Sequence, residues 1–198
     1  MAMSGSTRPT CYVIAGANGA GKTTFALNYL PKIASCRNFI NVDEIARGVS
    51  PLNIEAGQLH ASRIFLKLLR QKIALRENFA FETTLSGKSW LRRIRHMQTD
   101  GWKVVLYYLY IPAVAVSKLR VKQRVEQGGH DIPIADLERR YPRSIANLFE
   151  YTEVCDVVIC LDNSTENAKP IFEKKKTGGI EIINKELYQH IQEQANHD

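Results

Sequence analysis

Near-continuous apolar runs, rich in β-branched and aromatic residues, lie at 11–15, 39–42, 79–82, 104–111 and 157–161. Runs of this kind suit strands covered on both faces, as in a parallel sheet. Longer stretches with helical periodicity separate them. Over 54–76, Leu59, Ile64, Leu68 and Leu75 recur at helical spacing with Lys67, Arg70 and Lys72 interleaved. A second helix follows Gly87, passes through Trp90, Leu91 and Ile94, and stops at Gly101. A third starts near Pro112, a residue suited to a first helical turn because it lacks an N–H, and ends at Gly128-Gly129. The segment 128–142 is polar, arginine-rich and punctuated by glycine and proline. It reads as a mobile cover over a site, with a helix from Ile134 to about Tyr151. Gly178-Gly179 then turns into 180–183, and a short amphipathic helix around Leu187 to Ile191 follows. Strands alternating with helices predict an α/β domain with helices on both sheet faces.

The 198 residues suit one domain, here 10–198, preceded by a flexible lead-in over 1–9 without the apolar core of a signal peptide. The longest apolar stretch, 104–116, is broken by Pro112 and too short to cross a bilayer as a helix, so no membrane role is expected. Cys11, Cys36, Cys155 and Cys160 form no CxxC and lie mostly in or beside apolar stretches. They read as reduced thiols of a cytoplasmic protein. A net charge of +7 points to an anionic partner: nucleic acid, acidic lipid or a phosphorylated metabolite. Lys174-Lys175-Lys176 reads as a solvated turn, and the arginines at 92, 93 and 95 with His96 as a solvated helix face. Tyr107, Tyr108 and Tyr110 read as core.

The chemistry begins at Gly16-Ala17-Asn18-Gly19-Ala20-Gly21-Lys22-Thr23, a full match to GxxxxGK[ST] between a strand and a helix opening at Thr24. Glycines let the backbone curl until successive N–H groups face phosphate oxygens, and the helix adds its positive end. Lys22 would reach the β- and γ-phosphates of ATP, and the Thr23 hydroxyl would hold Mg²⁺. The base-reading Asn-Lys-x-Asp of switch GTPases is absent.

Asp43 and Glu82 end two of the strand runs, and in open α/β sheets those ends face the ligand crevice. Asp43 is the candidate base that accepts a proton from an attacking hydroxyl; it could also cap the helix starting at Glu44. Glu82, Thr83 and Thr84 suit either orientation of a polar substrate or bracing of a loop. Positive charge for the migrating phosphoryl group lies in Arg120, Lys122, Arg124, His130, Arg139, Arg140 and Arg143.

Taken together, the loop, Asn41-Val42-Asp43-Glu44, the string Phe81-Glu82-Thr83-Thr84-Leu85-Ser86-Gly87, Arg124 through Pro133 and Arg139-Arg140-Tyr141-Pro142-Arg143-Ser144 resemble the zeta toxin family of P-loop kinases over roughly 11–163. The resemblance implies a P-loop NTPase fold: a mainly parallel five-stranded sheet in the order 2-3-1-4-5 with an arginine-rich lid. It implies transfer of phosphate from ATP with Mg²⁺ to a hydroxyl of a small molecule such as UDP-N-acetylglucosamine, and a restraining antitoxin. Asp43 matches the base, arginines of the 120–143 region, with Arg124 and Arg140 the candidates, match the phosphate clamp that acts beside Lys22, and Glu82 and Thr84 match substrate positions, with Ser86 a further candidate beside them. Ser86 stands where the nucleotide-sugar kinases carry an arginine. The alternatives are a polynucleotide or nucleotide kinase and a non-catalytic ATP-binding module.

Overall fold

The structure, a computed structural model, describes residues 8–129 and 131–196. Residues 1–7 of the expected lead-in, and His130, lie outside them. The chain runs β1 (Thr10–Ala15), α1 (Lys22–Ile33), β2 (Phe39–Ile40), α2 (Val42–Val49), α3 (Ile54–Leu75), β3 (Phe79–Thr83) and α4 (Ser89–Thr99). It continues through β4 (Lys103–Tyr110), α5 (Val114–Glu126), α6 (Ile134–Val154), β5 (Val157–Asp162), β6 (Lys169–Lys175), β7 (Ile180–Ile182) and α7 (Lys185–Ala195).

The five expected strands pair in parallel in the order β2-β3-β1-β4-β5, and β6 and β7 extend the sheet antiparallel beyond β5. The sheet therefore has seven strands rather than five. Neighbouring side chains on a strand point to opposite faces, and β4 shows both faces covered. The ring of Tyr107 meets Phe25 and Tyr29 of α1, while the hydroxyl of Tyr108 is 3.0 Å from Ser144 Oγ of α6. On β3, Phe81 packs against Phe65 of α3 and Trp90 of α4. The three tyrosines of β4 are core, as expected, and all four cysteines are buried free thiols.

Several local expectations change. The buried stripe of α3 is Gly57, Ala61, Phe65 and Leu69, whereas Leu59 and Leu75 are exposed. The two rows differ by a fraction of a turn, and the buried one carries Phe65, which packs against Phe81. Lys174 and Lys175 belong to β6 rather than a turn, and Lys174 Nζ donates to Thr152 O at 2.8 Å. The helix expected from Ile134 is present as α6, but it runs through Pro142 to Val154, so that 128–129 and 131–133 are the described non-helical part of the expected cover. Arg8 and Pro9 are tied to the sheet: Lys103 N donates to Pro9 O and Arg8 Nε to Gly101 O, each at 2.9 Å.

Candidate active site

β1 ends in the middle of the sheet, and residues 16–21 lead from it into α1. Gly16 has φ 141°, and a Cβ there would lie 2.4 Å from Leu109 O. Gly21 has φ 80°, and a Cβ there would lie 2.6 Å from Asn163 Nδ2, which donates to Ala20 O at 2.7 Å. Only glycine combines these dihedrals with such close neighbours. The loop is held from beneath as well. Ser117 Oγ donates to Asn18 O at 2.6 Å, and Arg120 spans from the loop to Asn163 O (2.9 Å) and Ser164 O (2.7 Å). Arg120, expected near phosphate, is thus a brace beneath the loop.

Gly21 caps α1 without a side-chain hydrogen bond. The orphan N–H groups of the first turn and the positive helix end are therefore available to an anion. Lys22, 6% exposed, donates from Nζ to Ala17 O at 2.9 Å and stands 3.7 Å from Glu82 Oε1. Burial pushes its pKa down, partly offset by the negative charges of Glu82 and Asp43. These features fit a polyphosphate, which would give the buried ammonium a stronger partner.

The Thr23 hydroxyl donates to Glu82 Oε2 at 2.7 Å. The same carboxylate oxygen accepts from Asn41 Nδ2 at 2.9 Å, and that amide nitrogen is 3.2 Å from Thr23 Oγ1. Asn41 also caps α2, its Oδ1 accepting from Asp43 N (2.8 Å) and Glu44 N (3.3 Å). The helix cap is therefore Asn41 rather than Asp43. Asp43 lies within the first turn of α2, and its Oδ1 accepts from Gln58 Nε2 at 3.4 Å.

A cavity of ≈ 680 Å³ opens at this point. It brings together Asn18, Gly19, Lys22, Asp43, Glu82, Thr84, Arg124 and Arg140, with Gln58 and Trp90 in its wall. Arg140 also donates to Asp136 Oδ2 at 2.9 Å. On the other side of the loop a second cavity of ≈ 750 Å³ is lined by Gly19, Gly21, Thr24, Arg120, Asn163 and residues 165–168. Gly19 borders both. Ser86 lines neither; it and Arg143 border a smaller hollow, although Ser86 Oγ is 2.9 Å from Thr84 Oγ1. Gly16, Ala17 and Ala20 shape the loop from outside both cavities. Among the described residues, no group of three or more His, Cys, Asp or Glu could by itself hold a metal ion.

Sequence reasoning named Asn41 only as part of a motif and gave no role to it, to Gln58 or to Asn163. Asn41 had a signal: it lies two residues before Asp43 at the start of a helix, where asparagine is a favoured cap.

The family profile described as zeta toxin matches residues 2–169. An uncharacterized protein of Haemophilus influenzae (strain ATCC 51907 / DSM 11121 / KW20 / Rd) is 32% identical over 126 residues, 64% of this chain and 88% of that protein. Among solved structures, AvrRxo1-ORF1:AvrRxo1-ORF2 with sulphate ions aligns at TM-score 0.74 and 16% identity, covering 95% of this chain. This chain spans 65% of that one's length. The PezAT chromosomal toxin-antitoxin system of Streptococcus pneumoniae aligns at TM-score 0.63 and 15% identity, covering 98% of this chain and 90% of that one. A gluconokinase from Sinorhizobium meliloti 1021 aligns at TM-score 0.51 and 17% identity, covering 80% and 85%. At these identities the structural likeness shows the fold, that of P-loop kinases.

Proposed function

The chain belongs to the zeta toxin family, and from that premise we propose that it is an ATP-dependent kinase. It transfers the γ-phosphate to a hydroxyl of a small molecule held in the cavity between Asp43, Thr84 and Arg140, with a UDP-amino sugar the first acceptor to try. The reading rests on one observation: a candidate base, a buried lysine and two arginines converge on a single cavity at the mouth of the phosphate-binding loop. A second cavity of nucleoside size lies across that loop.

In this reading the nucleoside lies beside Thr24 and Arg120, and its phosphates run over Gly19 and the N-terminus of α1. Lys22 neutralises the β- and γ-phosphates. Thr23, with Glu82 beside it, would hold Mg²⁺, which supplies charge neutralisation between those phosphates. Asp43 accepts the acceptor's hydroxyl proton as its oxygen attacks phosphorus and the bond to the β-phosphate oxygen breaks. Arg124 and Arg140 offset the charge on the moving group. Thr84 orients the acceptor. Glu82, first assigned to substrate, is better supported as a partner of Thr23 by their 2.7 Å hydrogen bond. A restraining protein partner and a cytoplasmic site of action belong to the same proposal. AvrRxo1-ORF1:AvrRxo1-ORF2 and PezAT are themselves paired systems.

The test is incubation with Mg·ATP and either UDP-N-acetylglucosamine or a metabolite extract, with mass analysis for a product heavier by one phosphoryl group. Asp43→Ala should bind ATP as the parent does yet lose roughly 10²–10⁴ in transfer rate, the usual worth of a positioned base. Equal transfer by the two proteins would remove Asp43 from its role.

A further inference from the structure

The positive charge of this chain is not spread over its surface. Ten lysines and arginines but four acids lie between positions 54 and 103, leaving 17 basic and 16 acidic residues for everything else. The stretch α3-β3-α4 therefore holds six of the seven net charges. From 56 to 76 and from 83 to 99 there is no acid at all. The two helices lie on the same sheet face, linked through Phe65 and Trp90.

Arg63, Lys67 and Arg70 follow one another at i, i+4 and i+7 along α3, all exposed, and Arg92 and Arg95 are exposed on α4. Among the described residues these five make no ion pair, whereas Lys118 of α5 meets Glu138, and Arg139 and Arg140 of α6 meet Asp136. Like charges at these helical spacings repel, by about 0.2–0.5 kcal/mol a pair. An external polyanion would turn that repulsion into attraction.

We propose that the α3–α4 face binds the phosphate backbone of a nucleic acid strand. Four of the five unpaired cations are arginines, whose planar guanidinium pairs with phosphate through two hydrogen bonds. A membrane surface would call for an exposed apolar face beside the charge. Here α4 buries Leu91, Ile94 and Met97, and α3 buries Phe65 and Leu69; the exposed Leu59 and Leu75 stand near opposite ends of α3 and form no continuous apolar face. A protein partner would call for apolar anchors at the centre of its footprint, and these five positions offer none. The binding is sequence-independent and salt-dependent, and it does not require the kinase reading to hold.

Fluorescence anisotropy with a short fluorescein-labelled single-stranded RNA tests it, across a salt series. The parent should bind at low salt and weaken steeply as salt rises. A variant with Arg63, Lys67, Arg70, Arg92 and Arg95 all changed to Gln should bind at least about tenfold more weakly. Its slope of log affinity against log salt should be flatter by roughly 3.5, at about 0.7 per lost phosphate contact. Its affinity for Mg·ATP should match the parent's, which certifies the fold. No RNA binding by the parent at low salt, undiminished binding by the variant, or capture of the parent by phosphatidylserine vesicles but not RNA would each overturn the proposal.

Discussion

Asn41 carries two tasks through one amide. Its oxygen caps α2 and so fixes the backbone of Asp43, while its nitrogen ties Thr23 to Glu82. The two tasks separate by substitution. Asn41→Ser keeps a capping oxygen but cannot span to Glu82, whereas Asn41→Ala loses both and should cost about 1 kcal/mol of stability. Both variants should bind ATP in EDTA as the parent does and gain less affinity on adding Mg²⁺, with Ser close to the parent in thermal stability. A full magnesium-dependent gain in the Ser variant would show that the bridge to Glu82 is idle. Lys22 gives a pH signature. Burial lowers its pKa, so between that depressed value and the ordinary ~10.4 the unfolded chain holds the extra proton. In that window the stability of the free protein should rise with pH, because the buried lysine no longer has to be charged. Triphosphate restores the charge, so ATP binding there should take up a proton. Titration calorimetry in two buffers of unlike ionisation enthalpy reads this as a difference in heat, absent below the window. Equal heats throughout would contradict it.

At the scale of elements, what was legible followed from periodicity and punctuation, and what was hidden followed from contacts between distant segments. The five parallel strands were readable because each is an apolar run, their order followed from the family resemblance, and the glycine-rich loop was readable because its spacing is specific. β6 and β7 were not, since Lys169–Lys175 is mostly polar and its strand character comes from pairing with β5. Asp43 lines the cavity, as its place at the end of a strand run suggests, but the helix cap is Asn41 rather than Asp43; both asparagine and aspartate fill that role. Ser86 is a candidate substrate position by resemblance; it borders a hollow shared with Arg143, and its hydroxyl is 2.9 Å from Thr84 Oγ1. Asp156 is a further hidden element, 3% exposed at the start of β5. It accepts from Gln98 of α4 and Val104 N of β4, each at 2.9 Å, and pairs with Lys176. Burial alone would raise its pKa, but these partners outweigh that and hold it below the ordinary value. A depressed carboxylate contributes stability that is complete above the unfolded value of ~3.9 and disappears as pH falls through the folded one. Asp156→Asn should therefore destabilise by about 2–3 kcal/mol near neutrality. The gap from the parent should close below pH ~3.9, as read by denaturant melts across pH. A constant gap would place the effect in packing instead.

For the molecule as a whole, the two cavities set the order of events. They lie on opposite sides of the phosphate-binding loop and, among the described residues, share only Gly19 in their linings. A nucleoside in one and an acceptor in the other need not displace each other, and the loop between them is where phosphate would pass. Such an arrangement favours direct in-line transfer in a ternary complex over a phosphorylated enzyme intermediate, because both reactants can be oriented at once. Initial rates with both substrates varied should then give intersecting reciprocal plots. The protein's own mass should not change after incubation with Mg·ATP alone. Parallel plots together with a gain of one phosphoryl group on the chain would mean that a side chain takes the phosphate first. Asp43 would then be the leading candidate for that nucleophile, since it lines the acceptor cavity close enough to act on the charge of Lys22, while Thr23 and Asn41 engage Glu82 instead.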